Sequence, residues 1–288
     1  MGERCVSCIW IEWNDPHDSW GLDPLLTFKG LREAMDDAAL FALLVELHRD
    51  GERQGPGSEE DTLRALALTQ LDTSAALQVA DMGCGTGAST LVLASQLKNA
   101  HITAVDLFPD FLDILSQRIS AGGYSEQVET LAASMDALPF TEASLDLIWS
   151  EGAIYNMGFA KGIEAWKTLL RPGGVLAVSE ITWLHPDPPK EIQRYWHHEY
   201  PEIATASEKI AILERGGYDL MGYFVLPSTS WIQNYYKPTE DRIPAFLQRH
   251  AGQLDAEDLV KVERQEADLY QRFQDWFSYG FYIARNRG

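Results

Sequence analysis

Three glycines at alternate positions, Gly83, Gly85 and Gly87, are the residues whose types and spacing most directly indicate chemistry in this chain. They follow a short apolar run that ends at Ala80, and a helical pattern resumes at Ala88. A glycine-rich turn between a strand and a helix lets a ligand approach backbone N–H groups, because glycine has no Cβ. In an open α/β sheet such a turn lies at the carboxyl end of a strand, where small molecules bind.

Two acids near this turn narrow the class of ligand. The spacing is G-x-G-x-G, whereas dinucleotide sites usually show G-x-G-x-x-G. Asp81 lies two residues before the first glycine, and an acid there suits a cationic amine and disfavours a pyrophosphate. Asp106 ends the next apolar segment, where an acid suits hydrogen bonding to ribose hydroxyls. The turn therefore favours an adenosine-bearing ligand with a positively charged amino-acid end.

Polar residues that follow a later apolar segment, near 144–149, are further candidates for a small-molecule site. Ser150 and Glu151 come directly after this segment, and Tyr155 and Asn156 lie shortly beyond. Small-molecule sites lie at the carboxyl ends of parallel strands, so an acid here is placed to bind a cationic substrate or to accept a proton. The alternative is a solvated loop carboxylate.

An aromatic and imidazole group lies farther along the chain, at Tyr195, Trp196, His197 and His198. Histidine is the usual proton acceptor near neutral pH. The group therefore either covers a small-molecule site and carries a base, with His198 as the candidate, or forms a helix that buries Tyr195 and Trp196. Adjacent helical residues point about 100° apart, so the two histidines are not expected to chelate a metal.

The glycine turn needs a parallel sheet to position it, and the chain has the corresponding pattern. Apolar segments alternate with helical periodicity after residue 77, which is typical of a doubly wound α/β fold with helices on both faces. Seven strands are predicted near 77–81, 101–106, 127–132, 144–149, 174–182, 218–226 and 278–285, and helices near 87–98, 109–121 and 159–170.

Helical segments are predicted on both sides of this core. On the amino-terminal side they cover 28–49 and about 58–71, joined by a loop rich in glycine. On the carboxyl-terminal side, three prolines after Thr182 stop the regular pattern. Helices are then predicted near 190–198 and 205–216, followed by a long helical region over 238–276.

Five motifs in order, over residues 77–182, resemble those of the class I S-adenosylmethionine-dependent methyltransferases. Asp81-Met-Gly-Cys-Gly-Thr-Gly87 resembles the first motif, and Val105-Asp106-Leu107 resembles the second. The other three are Ser134–Phe140, Leu145–Glu151 and Leu170–Val175. The wider context at 53–58 and 150–156 resembles a bacterial small-molecule subgroup with poorly defined acceptors.

This resemblance implies a seven-stranded, mostly parallel sheet with an antiparallel last strand, and S-adenosylmethionine as cofactor. It implies one domain over 25–288, made of a helical cap (25–72), a cofactor-binding core (77–182) and an acceptor-side insertion with the terminal hairpin (183–288), after a disordered extension at 1–24. The implied cofactor-binding residues are Gln54, Gly55, Asp81, Gly83, Cys84, Gly85, Thr86, Gly87, Asp106, Leu107, Met135, Asp136 and Ser150. Glu151, Tyr155, Asn156, Tyr195 and Trp196 would contact a small-molecule acceptor, and Glu151 and His198 are the candidate bases.

Composition excludes several other classes of protein. The 288 residues include 23 basic and 43 acidic side chains, a net charge of −20, so the chain repels nucleic acids and anionic membranes. Cys5 and Cys8 form a single C-x-x-C pair, and a zinc site takes about four ligands, so no metal is predicted. No signal-peptide pattern or membrane-spanning run is present, which predicts a cytoplasmic protein. The oligomeric state stays open, with a homodimer among the options.

Three functions compete at this stage. The first is methyl transfer to a small molecule, which needs a base only for a hydroxyl or a protonated amine. The second is a nicotinamide-dependent oxidoreductase, which the glycine spacing and Asp81 disfavour. The third is a non-catalytic cofactor-binding protein, since the sequence contains no indispensable catalytic side chain.

Overall fold

The strands form one sheet that is mostly parallel, as predicted. The computed structural model describes residues 27–288, so the predicted extension over 1–24, with Cys5 and Cys8, lies outside the described residues. In chain order the strands are β1 Gln78–Met82, β2 His101–Asp106, β3 Val128–Ala132, β4 Leu145–Glu151, β5 Leu170–Trp183, β6 Ala204–Thr205, β7 Tyr218–Val225 and β8 Phe277–Asn286. Their spatial order is β3-β2-β1-β4-β5-β8-β7, with β6 paired to the end of β5. Strands β1 to β5 run parallel and β8 is antiparallel to both neighbours, which confirms the predicted fold.

Helices cover both faces of the sheet and extend beyond it at the two ends of the described chain. They are α1 Phe28–Ala34, α2 Asp37–His48, α3 Glu59–Leu68, α4 Ala88–Gln96, α5 Pro109–Gly122, α6 Phe159–Lys167, α7 Lys190–Glu199, α8 Ala206–Arg215, α9 Ser228–Trp231, α10 Lys237–Arg249 and α11 Leu254–Phe273. A 3₁₀ turn at Ile154–Asn156 follows β4, and a π-helical turn at Ile232–Tyr236 joins α9 to α10.

Adjacent residues of the central strand β4 serve two separate apolar cores. Leu147 packs with Leu93 and Leu115 of α4 and α5 on one face of the sheet. Ile148 packs with Ile163 of α6 and the other helices on the opposite face. Side chains alternate between the faces of a strand, so an unbroken apolar run is what a sheet covered on both sides requires.

Two segments predicted as continuous helices are each divided by a turn. The segment 28–49 breaks at Met35, because Asp36 accepts the N–H of Ala39 and caps α2. The segment 238–276 breaks at 250–253, where Gly252 has a φ of +80°. The two predictions were wrong because hydrophobic periodicity continues across a short turn.

The helices at the two ends of the described chain form one layer. Leu40 and Leu43 of α2 share a core with Phe246 of α10 and Leu259 of α11. This layer places α2 and the loop after it beside the carboxyl ends of the strands, where the predicted site lies. Over residues 27–288, no helix combines the length and the apolar character that crossing a bilayer demands.

Candidate active site

A cavity of 370 Å³ opens at the carboxyl ends of β1, β2 and β4, where the strand order reverses. Its volume falls within the range of roughly 300–1,000 Å³ typical of small-molecule sites. Nine predicted cofactor residues line it: Gln54, Gly55, Gly83, Cys84, Gly85, Asp106, Leu107, Met135 and Asp136. Three predicted acceptor residues, Glu151, Tyr155 and Asn156, line it as well. The structure therefore brings the two predicted groups to one cavity.

Four predicted cofactor residues lie behind the lining: Asp81, Thr86, Gly87 and Ser150. The Ser150 hydroxyl donates to the carbonyl of Met82 at 2.9 Å and joins β4 to β1. Asp81 is fully buried, and one of its carboxylate oxygens accepts hydrogen bonds from Ser89 and Thr90, at 2.8 and 2.6 Å. Burial raises the pKa of Asp81 to about 7. Through its hydrogen bonds, Asp81 joins the end of β1 to the first turn of α4.

Hydrogen bonds inside the protein use every backbone N–H of the glycine turn. The acceptors are the Val105 carbonyl for Gly83 and Cys84, Asp106 for Gly85, Gln54 for Thr86 and the Cys84 carbonyl for Gly87, at 2.8 to 3.0 Å. A pyrophosphate bound at such a turn needs free N–H donors. The turn in this conformation has none to offer, so it shapes a cavity for a ligand held by side chains.

The cap loop, residues 49–58 between α2 and α3, folds over the glycine turn. The Gln54 side chain accepts the N–H of Thr86 at 2.8 Å, and a Cβ at Gly85 would collide with the Gln54 amide. Arg118 of α5 donates to the carbonyls of Thr86 and Gly51, at 3.0 and 3.2 Å. Sequence reasoning missed Arg118, because no local pattern links a residue of α5 to a loop more than sixty positions earlier.

The Glu151 carboxylate is held by three donors. It forms an ion pair with Arg53 at 2.7 Å and accepts hydrogen bonds from Thr62 at 2.7 Å and the Trp149 indole at 3.0 Å. Arg53, which the sequence analysis did not single out, lines the cavity beside the predicted Gln54. The end of β4 is thus tied directly to the cap loop.

Aromatic side chains form the apolar wall of the cavity. Phe41 of α2 and Phe108 have ring centroids 5.5 Å apart, and Phe111 lies 5.7 Å from Phe108. Leu107, which is 56% exposed, lines the same wall. None of these three phenylalanines was predicted as a site residue, although Phe108 and Phe111 lie within five residues after the predicted Asp106.

The predicted aromatic and imidazole group lies apart from the cavity. Tyr195 is buried and donates to Glu266 at 3.5 Å, while Trp196 packs edge-on against Phe277 at 5.2 Å between ring centroids. The Nε2 atom of His198 lies 3.9 Å from Glu199, and neither this histidine nor the two aromatic residues line the cavity. Over residues 27–288, no three His, Cys, Asp or Glu side chains are grouped to hold a metal ion.

The fold and the cavity define an α/β protein with a small-molecule site at the carboxyl edge of its sheet. Residues 79–174 match the family model of a methyltransferase domain. The chain therefore carries a class I S-adenosylmethionine-dependent methyltransferase domain, as its five motifs predicted.

Similar proteins agree with this assignment of the domain. The malonyl-(acyl-carrier protein) O-methyltransferase of Dechloromonas aromatica is 34% identical over 101 residues, which are 35% of this chain and 35% of that relative, so the chain spans about a third of its length. A solved methyltransferase from Geobacter sulfurreducens, in complex with S-adenosylhomocysteine, is 19% identical with a TM-score of 0.73, covering 86% of this chain and 98% of that one. The cyclase SpnF is 19% identical with a TM-score of 0.63, covering 79% and 81%. At such identities the two structures show the fold alone.

Proposed function

We propose that this chain transfers a methyl group from S-adenosylmethionine to a small-molecule acceptor. The observation that carries the proposal is that one cavity joins the predicted cofactor residues of β1 and β2 to Glu151, Tyr155 and Asn156 after β4. The bound sulfonium supplies an already activated methyl group. The residues of the protein then mainly align the two reactants and exclude water.

The lining residues fit this cofactor. Each carboxylate oxygen of Asp106 accepts one backbone N–H, from Gly85 or Phe108, and keeps a lone pair for a ribose hydroxyl. The apolar wall beside Leu107 suits an adenine ring, with Asp136 near it for the exocyclic amine. In the proposal, the Arg53 guanidinium binds the carboxylate of the amino-acid end.

The two candidate bases have different roles in this proposal. Glu151 already accepts hydrogen bonds from Arg53, Thr62 and Trp149, so we assign it the positioning of Arg53. A base at His198 gains no support from its position outside the cavity lining. The reaction as proposed uses an acceptor that needs no proton removed by either side chain.

Two other functions remain candidates with less support. A nicotinamide-dependent oxidoreductase would hold a pyrophosphate at the glycine turn, where every N–H is already used. A protein that binds the cofactor without transferring its methyl group has the same fold requirements, and the neighbour SpnF is described as a cyclase. The net charge of −20 supports an acceptor other than nucleic acid or an anionic membrane. A cytoplasmic location and the oligomeric state stay predictions from the sequence.

Calorimetric titration with S-adenosylmethionine, S-adenosylhomocysteine and NADH tests the proposal. We expect micromolar binding of both sulfur ligands, loss of that binding in Asp106→Ala, and unchanged binding in Asp113→Ala, an exposed acid of α5 outside the cavity. Transfer of a labelled methyl group to any metabolite of an extract then separates an enzyme from a binding protein. Binding of NADH without either sulfur ligand would overturn the proposal.

A further inference from the structure

A cluster of tyrosines lies around one half-buried carboxyl group, that of Glu266 on α11. The hydroxyl of Tyr236 donates to Glu266 at 3.0 Å, and that of Tyr195 at 3.5 Å. Tyr235 lies against Tyr236, with ring centroids 5.1 Å apart, and the ring of Trp231 lies between Tyr236 and Tyr279, at 6.0 and 4.9 Å. After the larger effect of burial, the charge of Glu266 also raises the pKa values of Tyr155, Tyr235 and Tyr279. We call this group the tyrosine cage: Tyr155, Tyr195, Tyr235, Tyr236 and Tyr279 around Glu266.

The tyrosine cage adjoins the cofactor cavity at the end of β4. Tyr155 lines that cavity and keeps 41% of its surface open, although burial raises its pKa. The exposed part of Tyr155 therefore forms part of the cavity surface. The ring of Tyr279 lies against Gly152, another lining residue, and a Cβ added there would be 3.2 Å from the ring. A molecule in the tyrosine cage can therefore extend to the place where the methyl group is transferred.

The tyrosine cage is acidic, and among residues 27–288 no Lys, Arg or His side chain forms an ion pair with its main carboxyl group, that of Glu266. The charges of Glu263 and Glu199 act on Glu266, and Glu263 is already paired with His48 at 2.9 Å. Burial first, and then Glu263, raise the pKa of Glu266 to about 8, while the hydroxyls of Tyr236 and Tyr195 oppose that shift. A buried carboxyl without a cation is costly, and such groups cluster at functional sites.

We propose that the tyrosine cage binds an ammonium group of the acceptor, with Glu266 as its counter-ion and tyrosine rings as its cation–π partners. Ring faces attract desolvated cations, and quaternary or tertiary ammonium groups are the ligands that such cages favour. The acceptor atom lies at the other end of the same molecule, near Gly152. This inference rests on the proposed methyl transfer and names the class of its substrate.

Two probes of the same shape, one cationic and one neutral, test whether the tyrosine cage recognises the positive charge of its ligand. The full chain, saturated with S-adenosylhomocysteine, is titrated with choline and with its neutral isostere 3,3-dimethyl-1-butanol. We expect choline to bind at least about tenfold more tightly, because only choline can pair with the Glu266 carboxylate and form cation–π contacts with the tyrosine rings. Equal binding of the two probes, or no binding of choline, would contradict the inference. If S-adenosylhomocysteine itself does not bind, the proposed function fails instead.

Variants of two acids on α11 test whether the binding of choline depends on Glu266. Glu266→Gln removes the charge of the tyrosine cage, and Asp268→Asn removes an exposed charge that pairs with Arg272 outside it. We expect choline binding to weaken about tenfold or more in Glu266→Gln alone, with unchanged binding of S-adenosylhomocysteine in both variants. The latter measurement confirms that Glu266→Gln is folded. Choline binding that survives Glu266→Gln would refute the counter-ion.

Proton release tests the same site without a substitution. The titratable groups coupled to Glu266 by charge or hydrogen bonding come from several elements. They are Glu263 on α11, Glu199 and Tyr195 on α7, Tyr235 and Tyr236 on the π-helical turn, Tyr155 after β4 and Tyr279 in β8. A carboxyl with a pKa of about 8 is mostly protonated at pH 7, and a bound cation favours its ionised form. Calorimetry in buffers of different ionisation enthalpy should show protons released at pH 7 and few at pH 9. No release at pH 7 would count against Glu266 as the counter-ion.

Discussion

Arg53 and Glu151 form a 2.7 Å ion pair in which both side chains are largely buried, at 12% and 9% exposure. The pair joins the cap loop to the carboxyl end of β4, at the border between the cofactor residues and the acceptor residues of the cavity. A buried ion pair is costly to break from one side, because the remaining charge loses its partner. The position of Arg53, and with it the cap loop, therefore depends on Glu151.

Replacing Glu151 by Gln should weaken cofactor binding more than it lowers the turnover number. The amide keeps hydrogen-bonding capacity toward Thr62, but Arg53 is left buried without its counter-ion, at a cost of about 1–3 kcal/mol in the free energy of unfolding. Denaturant unfolding and calorimetry with S-adenosylhomocysteine measure the two effects. Glu142→Gln, an exposed acid, is the control. A turnover number that falls with unchanged cofactor affinity would instead support Glu151 as a base.

Shortening Gln54 should speed the release of the cofactor. Gln54→Ala removes the acceptor for the N–H of Thr86 and the donor to the carbonyls of His48 and Gly51. Loss of these bonds, each worth about 1 kcal/mol, should raise the dissociation rate about tenfold. Stopped-flow displacement of S-adenosylhomocysteine measures that rate, with Gln96→Ala in α4 as the control. An unchanged rate would mean that the cap loop does not limit release.

A methyl group at Gly85 should abolish cofactor binding, whereas one at Gly123 should not. Both glycines have positive φ, +54° and +76°, so Gly→Ala adds backbone strain of about 1 kcal/mol at either site. At Gly85 the new Cβ would also collide with the Gln54 amide, while at Gly123 it meets nothing within 4 Å. Calorimetry on the two variants therefore separates the collision from the strain. Equal binding in both would show that the cap loop moves aside freely.

The stability of the wild-type protein should fall relative to Asp81→Asn as the pH rises from about 4 to 7. The folded-state pKa of Asp81 is about 7, raised from 3.8 mainly by burial, so the folded state holds a proton that the unfolded state has lost over this range. Stability then decreases with rising pH, by up to about 4 kcal/mol for a three-unit shift. Urea unfolding of both proteins at pH 4.5 and 7 gives the difference. A constant difference would place the pKa of Asp81 near its ordinary value.

The local part of the fold could be predicted from the sequence. Strands β1, β2 and β4 are rich in apolar residues on both faces because both faces of the sheet are covered, and such segments are visible without a structure. The glycine spacing and Asp106 were sufficient to locate one end of the cavity, because a turn and its adjoining strand are contiguous in the chain. The helix breaks at Met35 and near Gly252 were missed because each break is shorter than the window over which hydrophobic periodicity is read.

The contacts that complete the site come from residues far apart in the sequence. Arg53 and Glu151 are 98 positions apart, and Arg118 meets Gly51 across 67 positions. The tyrosines of the tyrosine cage come from the 3₁₀ and π-helical turns, from α7 and from β8. No sequence pattern links these elements to one another. Sequence alone predicted which strand ends carry the candidate cofactor residues, because periodicity and turn chemistry are local. Only the tertiary structure decided which side chains close the cavity and give it charge, since those depend on how helices from both ends of the described chain pack together.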